Sequence, residues 1–179
     1  MQIKWENRLI GDDGSPVKVS VDGTDFMTQE FLNEDGKFDK QRFSHKFKHA
    51  GLRYEIAISV KTGWIVHVNG PFKCGEWSDL KIARALLHKG LGKGEYYFAD
   101  NGYRDVCGPA VLKEDLNQDE MGPYMRIRMR HETINKRFKE WGIFRQRYHH
   151  SELCHGSVFK ALAVLIQLDI EDGCNIWNI

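Results

Sequence analysis

The sequence has no run of about eighteen apolar residues, the length that a membrane-spanning helix requires. Its first residues, Met1 to Glu6, lack the apolar stretch of a secretory signal peptide. We also find no internal repeat, low-complexity tract or interdomain linker. These absences favour one globular domain over residues 1–179, in a reducing compartment and with no membrane partner.

Cysteine is scarce and irregularly spaced. The chain has four cysteines and no C-x-x-C pair, which argues against a disulfide framework and a zinc ribbon; they are Cys74, Cys107, Cys154 and Cys174. The segment from His149 to His155 does collect histidine, glutamate and cysteine side chains. A zinc site there is an alternative to a polar loop that leads into a helix, and it would need ligands at favourable geometry.

Net charge is only +1, so the whole molecule is not a general binder of polyanions. The charge is nevertheless unevenly distributed. Between residues 126 and 147 the chain concentrates basic side chains, against only Glu132 and Glu140; they are Arg126, Arg128, Arg130, Lys136, Arg137, Lys139, Arg145 and Arg147. Such a stretch is typical of a phosphate-binding surface, although a solvated helix face has the same composition.

Hydrophobic periodicity predicts an α/β protein. Alternation predicts strands over 17–22, 54–60 and 64–69, the last two forming a hairpin, while residues 27–50 show little periodicity. Further along, the pattern predicts a helix over 79–90, strands over 95–100 and 109–113, and helices over 125–141 and 156–169. The last helix is apolar on most sides, which predicts that it is largely buried. A hairpin followed by strands joined through helices favours a mixed sheet.

Three acidic residues occupy positions from which they could converge. Asp22 and Asp100 each end a predicted strand, and Glu132 lies on the predicted helix over 125–141. On that helix Glu132 is opposite an apolar stripe made of Ile127, Ile134, Phe138 and Trp141. Carboxylates are the ligands that Mg²⁺ prefers, and a pair of such ions can cleave a phosphodiester. The three acids therefore predict a metal-dependent nuclease.

Local explanations of the same residues stay open at this point. Asp22-Gly23 and Asp100-Asn101-Gly102 are common turn sequences, and Glu132 could pair with Lys136 four residues later on the helix. The residues alone therefore do not decide between a metal site and ordinary structural roles.

Six segments of the chain resemble DDE-superfamily transposases of the Harbinger and IS5-like type. They are Val21 to Asp25, Ser44 to Lys48, Gly51 to Glu55, Asn69 to Pro71, Ala99 to Tyr103, and Arg130 to Lys139. The resemblance spans roughly residues 3 to 177, and its motifs follow one another in the family's order.

This resemblance implies an RNase H-like catalytic domain, with a five-stranded mixed sheet flanked by helices. It implies that Asp22, Asp100 and Glu132 are the catalytic metal ligands, for two ions of Mg²⁺ or Mn²⁺. The implied activity is nicking of DNA at element ends, followed by joining of the freed 3′-hydroxyl to a target. If the source is eukaryotic, the implied location is the nucleus.

Several polar residues are candidates for contact with DNA. They are Lys46, Lys48, Arg53, Arg128, Arg130, His131, Asn135, Lys136 and Lys139. Asp25 is interpreted as local structure, whereas Asp79 in the first turn of a predicted helix is either a helix-terminal carboxylate or a supporting residue of the site.

Family members usually carry an N-terminal helix-turn-helix segment that reads the element ends. About twenty residues precede Asp22 here, and they show no helical pattern. We therefore expect a catalytic domain without its DNA-reading domain. A separate Myb-like or helix-turn-helix protein would then recognise the DNA. A homo-oligomer is a further open possibility for its assembly. The alternative function is that of a transposase-derived, non-catalytic protein that associates with DNA.

Overall fold

The computed structural model describes residues 3–174. The domain expected over 1–179 and the resemblance over 3–177 extend beyond these residues. The described strands are β1 (Val17–Met27), β2 (Phe43–Ser44), β3 (His49–Ser59), β4 (Ile65–Lys73), β5 (Tyr96–Phe98) and β6 (Ala110–Val111). The α-helices are α1 (Asp79–Ile82), α2 (His88–Gly90), α3 (Gln118–Glu140), α4 (Gly142–Arg145) and α5 (Glu152–Glu171). A π-helical turn, Ala83–Leu87, joins α1 to α2.

The described strands form one mixed sheet flanked by helices, which confirms the predicted α/β class. Strand β3 is antiparallel to β1 and β4, whereas β5 is parallel to both β1 and β6. The sheet has six strands rather than the expected five, because the two-residue strand β2 also pairs with the start of β3. This extra strand comes from the 27–50 segment, where no alternation predicted it.

Side-chain caps define where the helices begin. Ser78 accepts a hydrogen bond from the backbone N–H of Lys81, so α1 begins where it was predicted. Asn117 accepts from the N–H groups of Asp119 and Glu120, and the Glu120 side chain accepts in return from the Asn117 N–H. This reciprocal capping box starts α3 seven residues before the expected position 125, and the helix still carries Glu132.

The two faces of the sheet bury different clusters. On one face Phe26, Tyr54, Phe138 and Phe159 pack beneath α3 and α5, with the Phe138 and Phe159 rings stacked at 4.5 Å. On the other face a second cluster includes Val19, Val21, Ala83, Leu87 and Tyr97. Each face therefore positions a helix against β1, the strand that carries Asp22. Trp141, expected on the packed stripe, is instead 44% exposed because α3 ends at Glu140.

Helix α5 is less buried than its composition predicted. Phe159, Leu162 and Ile166 enter the core, but Val164, Leu165 and Leu168 are each 40–45% exposed. Among the described residues, α5 is also long and apolar enough to cross a membrane by length and composition alone. Core helices pass the same test, and α5 contributes side chains to the buried cluster beneath α3, so this property is weak evidence for a membrane span.

Candidate active site

Asp22 lies within β1, five residues before the strand ends at Met27, so the expectation that it ends a strand is wrong. Strand β1 continues through Gly23 because β3 pairs with it on both sides of this position, with Asp22 opposite Ile56 and Gly23 opposite Glu55. The turn interpretation of Asp22-Gly23 is therefore also wrong. The half-buried Asp22 carboxylate accepts a 3.0 Å hydrogen bond from the Asn135 side-chain amide on α3.

Asp100 lies just after β5, two residues beyond Phe98. Its Oδ1 accepts a 2.8 Å hydrogen bond from the Gly102 N–H, so Asp100 does have the local turn role that its sequence allowed. Strands β1 and β5 run parallel with Ser20 aligned to Phe98, so Asp22 and Asp100 each follow this aligned pair by two residues. The sheet register therefore brings these two acids to neighbouring positions.

Arg128 on α3 links the two aspartates. Its guanidinium lies 3.4 Å from Asp22 Oδ1 and 4.0 Å from Asp100 Oδ2. Glu132, one turn further along α3, is exposed as expected and lines a cleft of about 270 Å³ together with Asp100 and Arg128. The structure thus brings Asp22 and Asp100 together, and places Glu132 on the lining of a cleft that Asp100 also lines.

A fourth acid, Asp79, lies at the same place from the opposite face of β1. An ideal Cβ built on Gly102 would be 2.9 Å from Asp79 Oδ2 and 3.0 Å from Asp100 Oδ1, so both carboxylates lie close to the Gly102 backbone. A Cβ on Gly23 would collide with Asp79 Oδ1. Neither glycine has a positive φ, so each one matters here for the space that it leaves to the Asp79 carboxylate. As a carboxylate in the first turn of a helix, Asp79 gave no sign in the sequence that it would lie near Gly23 and Gly102.

Arg53 partly neutralises the acids on this face. Its guanidinium makes hydrogen bonds of 2.7 and 3.1 Å to Asp25, its cross-strand neighbour on β1, and lies 3.2 Å from Asp79. Burial works to raise the pKa of the Asp25 carboxyl, but the Arg53 contact outweighs it and lowers that pKa. Arg53 is thus committed to two carboxylates, rather than free for the DNA contact expected of it.

The charge balance around Asp79 remains negative. Burial raises the pKa of the Asp79 carboxyl to about 6, Arg53 opposes the shift, and the neighbouring carboxylates of Asp100, Asp25 and Asp22 add to it. Repulsion between several carboxylates is the electrostatic condition that a divalent cation relieves.

Two further buried groups lie beneath these acids. Glu55 and Tyr103 are both fully buried, and the Tyr103 hydroxyl lies close enough to the Glu55 carboxyl to act on it as a hydrogen-bond partner. Burial, with a smaller contribution from Asp79, raises the pKa of Glu55 to about 8, although the nearby Tyr103 hydroxyl lowers it somewhat. Glu55 is therefore protonated at neutral pH.

Apart from Arg53, the residues expected to contact DNA divide into three groups. Lys46, Lys48 and Lys136 are exposed, and Arg128 and Asn135 are half-buried and contact Asp22. Lys139 is half-buried, and its pKa is lowered by burial and by the nearby Lys46. Arg130 and His131, in contrast, are 3% and 1% exposed, and Arg130 donates a 2.7 Å hydrogen bond to the Val60 carbonyl. These last two side chains offer no surface to DNA.

The donor set fits a divalent metal ion in its chemistry. Asp22, Asp79, Asp100 and Glu132 supply the hard oxygen ligands that Mg²⁺ and Mn²⁺ favour. Among residues 3–174, however, no three histidine, cysteine, aspartate or glutamate side chains lie at a spacing that could hold a metal ion. Coordination by these acids therefore requires side-chain movement, which includes displacing Arg128 from between Asp22 and Asp100.

The His149–His155 segment does not assemble a zinc site in the described part of the chain. His155 is fully buried, and its Nδ1 shares a 2.7 Å hydrogen bond with the Tyr54 hydroxyl. Burial lowers the pKa of His155 to about 4. Cys154 is exposed, so the adjacent side chains of this segment point to different environments.

No protein-family model matches the sequence, and neither the search of curated proteins nor the search of solved structures found a match.

Proposed function

We propose that this chain is a catalytic domain of the DDE transposase type, acting as a divalent-metal-dependent DNA endonuclease and strand transferase with an RNase H-like fold. Its cofactor is a pair of Mg²⁺ or Mn²⁺ ions, and its catalytic ligands are Asp22, Asp100 and Glu132. Its partners are DNA and a separate DNA-reading protein, and in a eukaryotic source it would act in the nucleus.

One observation carries the proposal. Asp22 and Asp100 come from different parts of the chain, yet both contact Arg128 on the helix that also carries Glu132. The RNase H-like assignment is supported by the mixed sheet, in which antiparallel strands β1, β3 and β4 continue into parallel strands β5 and β6 with helices on both faces. The order of acids along the chain agrees with the resemblance.

The bound ions would supply an activated oxygen nucleophile and stabilise the leaving oxygen of an in-line displacement. The protein itself would position the metal ligands. Asn135 holds one Asp22 oxygen, and the Gly102 N–H holds one Asp100 oxygen, so both carboxylates are oriented by hydrogen bonds to other groups. Lys46 and Lys139 lie close enough to interact electrostatically, and they would contact the DNA phosphates beside the acids.

The primary test is nicking of supercoiled plasmid by the purified chain with Mg²⁺ or Mn²⁺. We expect metal-dependent nicking that Asp100→Asn reduces at least about a hundredfold, since a ligand to the transition-state charge would be lost. Asp169→Asn on the exposed surface of α5 is the matched control, and it should nick like the native chain. Equal nicking by Asp100→Asn and the native chain would reject Asp100 as a catalytic ligand.

The alternative is a non-catalytic, DNA-associated protein of the same ancestry. Its supporting observation is that Arg128 pairs with both aspartates while no metal-holding group is assembled among the described residues. Such a protein would bind DNA but would fail to nick it with either metal, even when folding and DNA binding are verified. Adding a separate DNA-reading protein would not restore cleavage.

A second prediction concerns Lys46 and Lys139. Replacing Lys46 and Lys139 together by glutamine should weaken binding to any DNA sequence, and the slope of log K against log salt should fall by about two. Lys93→Gln, on the exposed loop before β5, is the control and should leave the slope unchanged. Fluorescence anisotropy on a labelled duplex at several salt concentrations measures both, and an unaltered slope in the double variant would remove these lysines from the DNA path.

A further inference from the structure

The cleft that Asp100, Arg128 and Glu132 line also has an apolar surface. Met125 on α3 lines the same cleft and is 45% exposed. It precedes Glu132 by seven residues, which places both side chains on the same side of the helix. Metal ions of this kind and phosphate groups are bound by oxygen ligands and cations, and a thioether offers neither. Met125 therefore faces some other part of a substrate that occupies this cleft.

The cleft also has polar groups that hold one another in place. The Asn101 side-chain amide donates a 3.1 Å hydrogen bond to Glu114 Oε1. Arg104 donates hydrogen bonds of 3.1 Å to Asn101 Oδ1 and to Glu114 Oε2. Asn101 and Glu114 both line the cleft, and each keeps further capacity, because the amide has another N–H and the carboxylate has further lone pairs. A hydrogen-bond donor and an acceptor thus share the cleft with the apolar surface.

Cations complete the lining. The side chain of Lys113 is exposed, and Lys113 and Arg128 both line the cleft. Positive charge at this place attracts the phosphate of a nucleotide. The cleft therefore offers separate groups for the apolar, the hydrogen-bonding and the anionic parts of one nucleotide.

The size of the cleft favours one planar group. Its volume of about 270 Å³ is slightly below the roughly 300–1,000 Å³ of sites that take a drug-sized ligand. A nucleobase has an apolar face, and its edge carries hydrogen-bond donors and acceptors. The polarizable sulfur of methionine makes favourable contacts with aromatic rings. A base that is stacked within a duplex cannot enter such a cleft, so the base has to leave the stack.

We propose that this cleft binds one nucleobase, unstacked from the DNA beside the cleaved phosphodiester. Met125 packs on the face of the base, Asn101 and Glu114 meet its polar edge, and Lys113 contacts the phosphate. The chain then prefers DNA with an unpaired base at this position, because that base enters the cleft without the cost of breaking a base pair. This inference rests on the proposed function, which assigns no role to Met125, Asn101, Glu114 or Lys113.

The test compares two labelled duplexes that differ only by a mismatch at the centre. Fluorescence anisotropy at low salt, without added metal ions, measures binding while both duplexes stay intact. The native chain should bind the mismatched duplex at least about tenfold more tightly than the paired one. Met125→Ala should reduce this preference to less than about threefold, and it should bind the paired duplex like the native chain.

Two further variants separate the cleft from the rest of the helix. Met129→Ala is the matched control, since Met129 is 49% exposed on the next turn of α3 and lies outside the cleft lining. It should keep the native preference, and so should Met125→Leu, which retains an apolar side chain. Thermal unfolding checks that each variant is folded.

Photochemical cross-linking locates the base directly. A 5-iodouracil placed at the mismatch should cross-link, under ultraviolet light, to the tryptic peptide from Glu114 to Arg126, which contains Met125. Mass spectrometry of the digest identifies the peptide. A cross-link confined to another part of the chain would overturn the assignment of this cleft to a base.

The outcomes separate this inference from the proposed function. Equal affinity for the two duplexes overturns the nucleobase site, and so does a preference that survives in Met125→Ala or disappears in Met129→Ala. Metal-dependent nicking that Asp100→Asn abolishes would leave the proposed function standing in each of these cases. A native chain that binds neither duplex, with Mg²⁺ as well as without it, overturns both.

Discussion

Asp22→Asn is expected to lower metal-dependent DNA cleavage by at least about a hundredfold, with little change in the stability of the fold. The substitution keeps the shape of the side chain but removes the charge that would bind the ion, and such ligands contribute several kcal/mol to the transition state. Stability should change little because the substitution relieves repulsion between Asp22 and the other carboxylates, while it also weakens the contact between Asp22 and Arg128. Plasmid nicking and urea unfolding of the same preparations measure the two effects.

Asn135→Ala is expected to lower cleavage less than Asp22→Asn does. Asn135 donates a hydrogen bond to Asp22 Oδ2 without being an expected ligand, so its loss should reduce cleavage about tenfold to a hundredfold, less than loss of Asp22 itself. Excess Mn²⁺ should restore part of the activity of Asn135→Ala and none of that of Asp22→Asn. Asp22→Asn that cleaves as fast as the native chain would show that the acids near Arg128 are not a catalytic centre.

The sequence was most informative where the spacing of apolar residues indicates which side chains are buried. Alternation of Val17, Val19 and Val21 predicted β1, and the parallel register with β5 then brings Asp22 and Asp100 close together. The helix pattern likewise predicted which face of α3 packs and which exposes Glu132. These features depend on side-chain spacing within a single element, which a sequence displays directly.

The features that sequence reasoning missed depend on contacts between distant segments. Asp22-Gly23 looks like a turn, and only the pairing of β3 across both residues makes it continuous strand. Asp79 belongs with Asp100 because α1 packs against Gly23 and Gly102, and nothing in its local sequence signals that approach. The sequence does place a glycine within two residues of both Asp22 and Asp100. Such a glycine can indicate that another group packs closely against the backbone there.

Burial also divided residues that the sequence treated alike. Arg128, Arg130 and His131 belong to one basic segment, but only Arg128 contacts Asp22 and Asp100. Arg130 and His131 lie on the side of α3 that packs against the sheet, next to Ile127 and Ile134 in the helical repeat. In a basic helix, the face on which each cation lies must therefore be known before that cation is predicted to contact DNA.

Glu55→Gln is expected to change the pH dependence of stability more than any other single substitution near the site. The folded chain holds the pKa of Glu55 at about 8, against an ordinary value of 4.5, because the carboxyl is buried and lies near Asp79, while the Tyr103 hydroxyl partly opposes the shift. Between about pH 4.5 and 8 the unfolded chain has lost this proton and the folded chain has kept it. The contribution of Glu55 to the free energy of unfolding therefore falls as pH rises through this window.

Glutamine has no proton to lose, so the stability of Glu55→Gln relative to the native chain should rise with pH and level off above about pH 8. The relative gain between pH 5 and 8 should be on the order of 3–4 kcal/mol, and the change with pH is the diagnostic quantity, because an unpaired amide adds a constant offset. Urea unfolding at pH 5, 6, 7 and 8 measures it, with Glu140→Gln on the exposed end of α3 as the control. A difference between Glu55→Gln and the native chain that stays constant across this range would mean that Glu55 is ionised in the folded protein. The buried carboxyl would then add a further negative charge beneath Asp79 and increase the repulsion among these acids.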